Sequence, residues 1–243
     1  MKKLCKCGCG RPVTFHTRKK EWNTYLKGHY HKSYQFDRST FKRIDKPEQA
    51  YWLGYFTADG YVRSRGYFGF HICMKDKIHL DLFLKFLKSN HIAKPYANNG
   101  YRVEISDKDY CDNVLSKWGF IQGKSKTIDL PKIKKSLYRH FIRGLFDGDG
   151  WVCGKDANCN FGIIGNKILI EKIQDILVSN CKINKIPLHI DKRAKSKVIR
   201  SIYYGGRGNL KKIFKYLYNN SKQLYLKRKY NKWVYILTSQ MKN

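Results

Sequence analysis

Two ten-residue stretches of this chain are near-copies of each other: Trp52-Leu53-Gly54-Tyr55-Phe56-Thr57-Ala58-Asp59-Gly60-Tyr61 and Ile142-Arg143-Gly144-Leu145-Phe146-Asp147-Gly148-Asp149-Gly150-Trp151. Each sets a small residue four places before another, Gly54 with Ala58 and Gly144 with Gly148, and ends on an Asp-Gly pair followed by an aromatic. Residues four apart share a helix face, so each stretch predicts a helix carrying a flat strip. Such strips let two backbones approach closely. With the strips face to face, Asp59 and Asp149 emerge side by side at the helix C-termini, where Gly60 and Gly150 are expected to supply left-handed stops. That placement is electrostatically poor. The carboxylates repel, and each negative helix end adds a penalty of ~0.3–1 kcal/mol. A divalent cation relieves both, and hard cations such as magnesium favour carboxylate oxygens.

From about Phe41 the chain alternates helix and strand patterns, and it does so twice. In the first pass a motif helix around 48–58 leads to a hairpin over 61–65 and 67–74, turning at Gly66. A helix over 76–90 follows, with Ile78, Leu82 and Phe86 at helical spacing. Strands over 94–98 and 101–105 flank the turn dipeptide Asn99-Gly100, and a helix over 107–118 is opened by Ser106 as N-cap. The second pass repeats this order. It predicts a motif helix over 136–147, strands near 151–154 and 160–164, and a helix from the Asn166 cap to about 180. Strands near 187–192 and 198–204 and a helix over 209–218 complete it.

Lys and Arg number 50 against 18 Asp and Glu, a formal net charge of +32. So large an excess calls for a polyanionic partner, and double-stranded nucleic acid is the natural one, since each neutralised phosphate releases counterions. No run of eighteen apolar residues and no signal-peptide core is present, so the expectation is an intracellular, cytoplasmic protein with no membrane partner. Two antiparallel sheets, each packed on helices by one face, leave the other faces as a saddle for a major-groove segment. The alternates expected on that surface are Arg63, Arg65, Tyr67 and His71 in the first pass, and Lys192, Arg193, Lys195, Lys197 and Arg200 in the second.

The two motif stretches resemble the LAGLIDADG motif of homing endonucleases, and two motifs in one chain resemble the single-chain, monomeric branch. The resemblance implies an α+β fold of two pseudo-symmetric αββαββα halves joined through the motif helices, here 41–131 and 132–243. It implies a magnesium (or manganese) site at Asp59 and Asp149 with the adjoining Gly60 and Gly150. A lysine after the third helix of each half is also implied, and it maps to Lys124 and Lys227. The implied activity is site-specific hydrolysis of double-stranded DNA, leaving staggered 3′ overhangs, by a protein encoded in a phage, bacterial or organellar mobile intron. Two alternatives stay open: an intron maturase binding RNA on the same fold, and a non-catalytic DNA-binding regulator. The sequence departs from the motif consensus at Trp52, Thr57, Arg143 and Gly148.

Residues 1–40 read differently. Cys5-x-Cys7-x-Cys9 and Gly28-His29-Tyr30-His31 place soft and borderline ligands in a segment poor in hydrophobic periodicity. Structural zinc would let such a segment fold. The expected ligands are Cys5, Cys7, Cys9 and His29, with His16 or His31 as substitutes, in a small zinc-finger-like module.

Overall fold

The computed structural model describes residues 3–6, 10–29, 34–97, 99–154, 158–190 and 198–239. A short hairpin, β1 (Phe15–His16) and β2 (Glu21–Trp22), lies near the amino terminus, closed by an edge-on Phe15–Trp22 contact. The first run of elements then comprises α1 (Pro47–Asp59), β3 (Gly60–Arg63), β4 (Tyr67–Cys73), α2 (Lys77–Phe86), β5 (Lys94–Tyr96), β6 (Gly100–Ser106) and α3 (Lys108–Tyr110). A π-turn over Cys111–Leu115 and a 3-10 turn over Ser116–Trp118 extend α3. The second run comprises α4 (Tyr138–Asp149), β7 (Gly150–Cys153), β8 (Asn160–Asn166), α5 (Lys167–Cys181), β9 (Ile199–Gly205) and α6 (Arg207–Tyr218), after which α7 (Lys227–Thr238) is added. Among the described residues no helix is long and apolar enough to cross a membrane.

Helix α1 begins where Pro47 presets the first turn and the Gln49 side chain accepts the Asp45 and Lys46 N–H groups at 3.1 and 3.0 Å. Every residue from Ala50 to Thr57 is buried, and so is every residue from His140 to Asp147 in α4. Helices covered on all sides belong at the centre of a fold, and these two pack against each other there. The small residues decide how closely. A Cβ on Gly54 would collide with the Phe141 carbonyl oxygen, one on Gly144 with the Tyr51 carbonyl oxygen, and one on Gly148 with the Ala58 methyl.

Strand order in the first sheet is β3-β4-β6-β5, all antiparallel. Phe68, Phe70, Ile72, Val103 and Ile105 point inward and are buried. The second sheet has the order β7-β8-β9, with Val152, Phe161, Ile163, Ile202 and Tyr204 buried. The expected strand near 187–192 survives as an antiparallel bridge in which His189 and Ser201 exchange both backbone hydrogen bonds, at 2.8 and 3.0 Å. Residues 191–197 lie outside the described residues.

Several expectations need correction. Gly60 and Gly150 are extended, with φ of −71° and −96°, rather than left-handed. Each helix therefore passes directly into the next strand, and glycine is required for space: a Cβ would strike the ring of Phe56 or Phe146. Helix α3 is capped by Asp107, whose carboxylate accepts the Tyr110 N–H at 2.9 Å, not by Ser106. The Asn166 cap forms as expected, accepting the Leu169 N–H at 3.0 Å.

Candidate active site and nucleic-acid interface

Because α1 and α4 lie backbone to backbone, their last residues come together. Asp59 and Asp149 sit close enough for each to feel charge from the same two lysines, and an added Cβ on Gly148 would lie 3.2 Å from the Asp59 carboxylate. Burial, with the neighbouring Asp59 charge, pushes the Asp149 carboxyl up to about 6. Burial also raises Asp59, opposed by Lys229, by the Tyr55 hydroxyl donating to it, and by Lys124.

Each carboxylate has a buried lysine beside it. Lys124 lies on a turn after the helical run that follows β6, and its ammonium donates to Thr57 O at 2.5 Å and Ala58 O at 3.5 Å. Lys229, in the first turn of α7, donates to Phe146 O, Gly148 O and Gly150 O at 2.9, 2.8 and 2.7 Å. Each cation thus binds carbonyls at the end of one helix, α1 or α4, and offsets its negative dipole. Burial lowers both lysines to about 8 against the pull of the nearby aspartates.

A second buried acid stabilises this arrangement. Asp147 is 1% exposed and accepts the Tyr51 hydroxyl at 2.7 Å and the Leu226 N–H at 2.8 Å. Leu226 is the N-cap of α7, so Asp147 ties the start of that helix to α4. Tyr51 also meets His79 Nε2 at 2.8 Å. Arg143, 1% exposed, donates to Leu217 O and Leu224 O at 2.7 and 3.0 Å, holding the C-terminal end of α6 and the loop after it.

No family model and no curated protein matches this sequence. Solved structures do match in shape. The I-SmaMI LAGLIDADG homing endonuclease bound to cleaved DNA is 13% identical, with a TM-score of 0.54 over 79% of this chain and 88% of that one. The I-LtrWI LAGLIDADG homing endonuclease bound to target DNA is 13% identical, with a TM-score of 0.54 over 79% and 90%. The LAGLIDADG meganuclease I-AabMI bound to uncleaved DNA is 13% identical, with a TM-score of 0.51 over 78% and 88%. The chain has the LAGLIDADG homing-endonuclease fold.

In LAGLIDADG terms, α1 and α4 are the two motif helices, and the structure brings their aspartates, Asp59 and Asp149, together with Lys124. The second lysine is off by two. Lys227 is exposed at the start of α7, and Lys229 holds the position matching Lys124. Gly150 offers its carbonyl to Lys229. The donor set at the helix ends is two carboxylates, and no cluster of three His, Cys, Asp or Glu exists among the described residues. Two hard oxygen donors beside an open groove fit magnesium, which keeps waters and takes substrate phosphate oxygens rather than a closed protein cage. The zinc-like closed alternative does not fit here.

On the open face of the first sheet the register aligns Tyr61, Arg63, Tyr67, His71 and Cys73 with Lys94, Tyr96, Arg102 and Glu104. Arg63, Tyr67 and His71 thus share one surface, and Arg65 is exposed in the adjoining turn. Lys94, Arg102 and Glu104 went unnoticed in the sequence, although strict alternation through Gly100–Ser106 carried the signal. The arginines here are held in place. Arg63 lies 3.3 Å from Glu104, which also accepts the Tyr61 hydroxyl at 2.8 Å, and Arg102 stacks 4.4 Å over the Tyr96 ring. In the second sheet Arg200 falls on the face of Ile202 and Tyr204, turned away from the open surface, where Trp151 and the half-exposed Tyr203 stand instead. Lys192, Arg193, Lys195 and Lys197 lie outside the described residues.

In the amino-terminal segment Cys5 is buried and its sulfur accepts the Leu26 N–H at 3.3 Å. The His29 N–H bonds Leu26 O at 2.9 Å, and His16 Nδ1 accepts the Lys19 N–H at 3.4 Å. Cys7, Cys9 and His31 lie outside the described residues.

Proposed function

We propose that this protein is a divalent-cation-dependent endonuclease that cuts both strands of a specific double-stranded DNA site, acting as a monomer. The observation that carries the reading is the convergence of Asp59 and Asp149, two desolvated carboxylates that repel each other at the abutting ends of two helices. A purely structural role would not retain such a pair, and a passive binder gains nothing from negative charge beside phosphates. Asp59 and Asp149, with the peptide groups at Gly60 and Gly150 next to them, would hold magnesium or manganese. Such a cation, when bound, supplies activation of water and neutralisation of the leaving oxygen.

The chain's own residues do the rest. Tyr55 fixes the Asp59 carboxylate by donating to it. Lys124 spends two contacts on helix carbonyls and keeps a donor for a scissile phosphate, whereas Lys229 directs all three of its protons at carbonyls. Burial lowers the Lys124 ammonium to about 8, so its uncommitted proton exchanges close to neutral pH and can serve the attacking water or the leaving oxygen. The pinned Arg63 and Arg102 suit guanine recognition in the major groove. The two-fold arrangement gives one cut per strand, and the resemblance to homing endonucleases makes the expected ends short 3′ overhangs and the expected origin a mobile intron. The amino-terminal segment would bind structural zinc through Cys5, Cys7, Cys9 and His29, consistent with an N–H aimed at the Cys5 sulfur. Stoichiometric zinc in purified protein, lost in Cys7→Ser, is the expected result.

The deciding experiment incubates the protein with a plasmid library of randomised inserts, with magnesium and with a chelator. Sequencing of linearised plasmids should return one family of sites cut only with magnesium. Asp59→Asn and Asp149→Asn should bind those sites without cutting. Tight binding with no cleavage by the unaltered protein would transfer the assignment to a regulator, and preference for intron RNA to a maturase.

A further inference from the structure

Two hydrogen-bonded contacts cross between the halves at matching places. In each half the residue that opens the helix following the second strand makes the crossing: Asp76 before α2, and Asn166 before α5. Asp76, 6% exposed, takes a bidentate grip from Arg228, with Nε at 2.8 Å and Nη2 at 2.8 Å. Asn166 donates its side-chain amide to Ile128 O at 2.6 Å. Arg228 immediately precedes Lys229, and the Ile128 N–H bonds back to Lys124 O at 2.8 Å. A first-half residue therefore seats the segment that carries the second lysine, and a second-half residue seats the segment that carries the first. Asn166 and Ile128 also line, with Ser125 and Asp149, a cleft of about 200 Å³ beside the acidic pair.

The two contacts differ in chemistry. One is a buried carboxylate with a guanidinium, the other a neutral amide with a carbonyl. What is duplicated is the geometry, in trans, and the shared target is the few residues around a lysine whose ammonium already grips the end of a motif helix. General packing does not require this symmetry. Asn166 already satisfies its capping duty through Oδ1, which leaves its amide for the second task. Leu226, three residues before Lys229, is anchored separately by Asp147, so Arg228 adds a second tie to the same turn.

We infer that Asp76 and Asn166 are positioning residues acting across the pseudo-dyad, each setting the lysine of the opposite half and thereby the cleavage rate of one DNA strand. The inference rests on the nuclease reading above. In a pseudo-two-fold site laid on a duplex, each scissile phosphate lies beside one of the two motif-helix ends that the lysines grip, so loss of one seat slows one strand.

The test measures single-turnover rates for each strand of a supercoiled plasmid bearing a site selected by the unaltered protein. Asp76→Asn should slow one strand about tenfold and accumulate nicked circles, the same strand that Lys229→Met slows. Asn166→Ser, which keeps the helix cap but is too short to reach Ile128, should slow the other strand, the one that Lys124→Met slows. Adding Asp76→Asn to Lys229→Met should cost nothing further, as expected when one residue acts through another, and Asp76→Glu should restore the strand balance. Equal slowing of both strands, or the same strand slowed by both variants, overturns the inference. Hydrogen exchange on the free protein gives a second reading independent of cleavage. Amides at 226–230 should exchange faster in Asp76→Asn and those at 124–128 in Asn166→Ser, and unchanged exchange at both places overturns the seating. An unaltered protein that cuts neither strand refutes the nuclease assignment, while these exchange rates still decide the seating.

Discussion

At the scale of single residues, the acidic pair costs stability. Asp149 rises in the folded state to about 6 from an ordinary value of 3.8. The folded protein therefore holds an extra proton between those values, and stability falls as pH rises through that window, with the full penalty present above it. Asp149→Asn removes the penalty. Thermal melts should show the variant more stable than the unaltered protein at pH 7.5 by on the order of 1–3 kcal/mol, with the gap closing as pH falls from about 6 toward 4. A variant less stable at pH 7.5 would show that the carboxylate is stabilised rather than strained. The glycines of the seam are the converse case. Gly144→Ala drives a methyl into the Tyr51 carbonyl, a backbone atom with little room to yield, so a loss of at least ~2 kcal/mol is expected by denaturant unfolding.

At the scale of elements, helix α7 and the segment leading into it rest on two buried ionic residues of α4, Asp147, which matches the motif consensus, and Arg143, which departs from it. Asp147→Ala strands the buried Leu226 N–H, at ~1–3 kcal/mol when left unpaired, leaves the Tyr51 hydroxyl with His79 alone, and frees the turn that carries Lys229. Urea unfolding should register the loss, and cleavage should fall even where the variant remains folded. The departure of Arg143 from the consensus is explained in the same way, since its guanidinium completes the end of α6. The motif helices, both hairpins and the Asn166 cap were legible because each is encoded locally, by spacing or by a capping residue. Helix α7 was not. Its buried Trp233 and Ile236 are embedded in a run of lysines and polar residues, and its anchor, Asp147, is remote in sequence. The same gap explains the choice of Lys227 over Lys229, because only a known helix start fixes which lysine of Lys227-Arg228-Lys229 turns inward. Arg200 was misplaced for want of a register, which a pairing partner alone supplies.

At the scale of the whole molecule, charge and shape combine. A net charge of +32 and a sheet face bearing Arg63, Lys94 and Arg102 predict binding dominated by phosphate neutralisation. The logarithm of the association constant should fall against the logarithm of salt with a slope of about −5 or steeper, as for six or more phosphates. A slope near zero would refute a nucleic-acid role for this surface. Within that total, Arg63→Ala should erase preference at one base pair, where removal of an exposed lysine lowers affinity evenly across sequences.

The joint between α1 and α4 has a mechanical corollary. With carbonyl oxygens of one helix resting against bare α-carbons of the other, the seam has no slack, and a small rotation would drive oxygen into carbon. The two lobes are thus held like the arms of a fixed caliper, with the distance between their open sheet faces set by the spine. Under the proposed function, a duplex seated there would have to bend or twist to that gauge, and the stiffness of base steps the protein never touches would become part of what it selects.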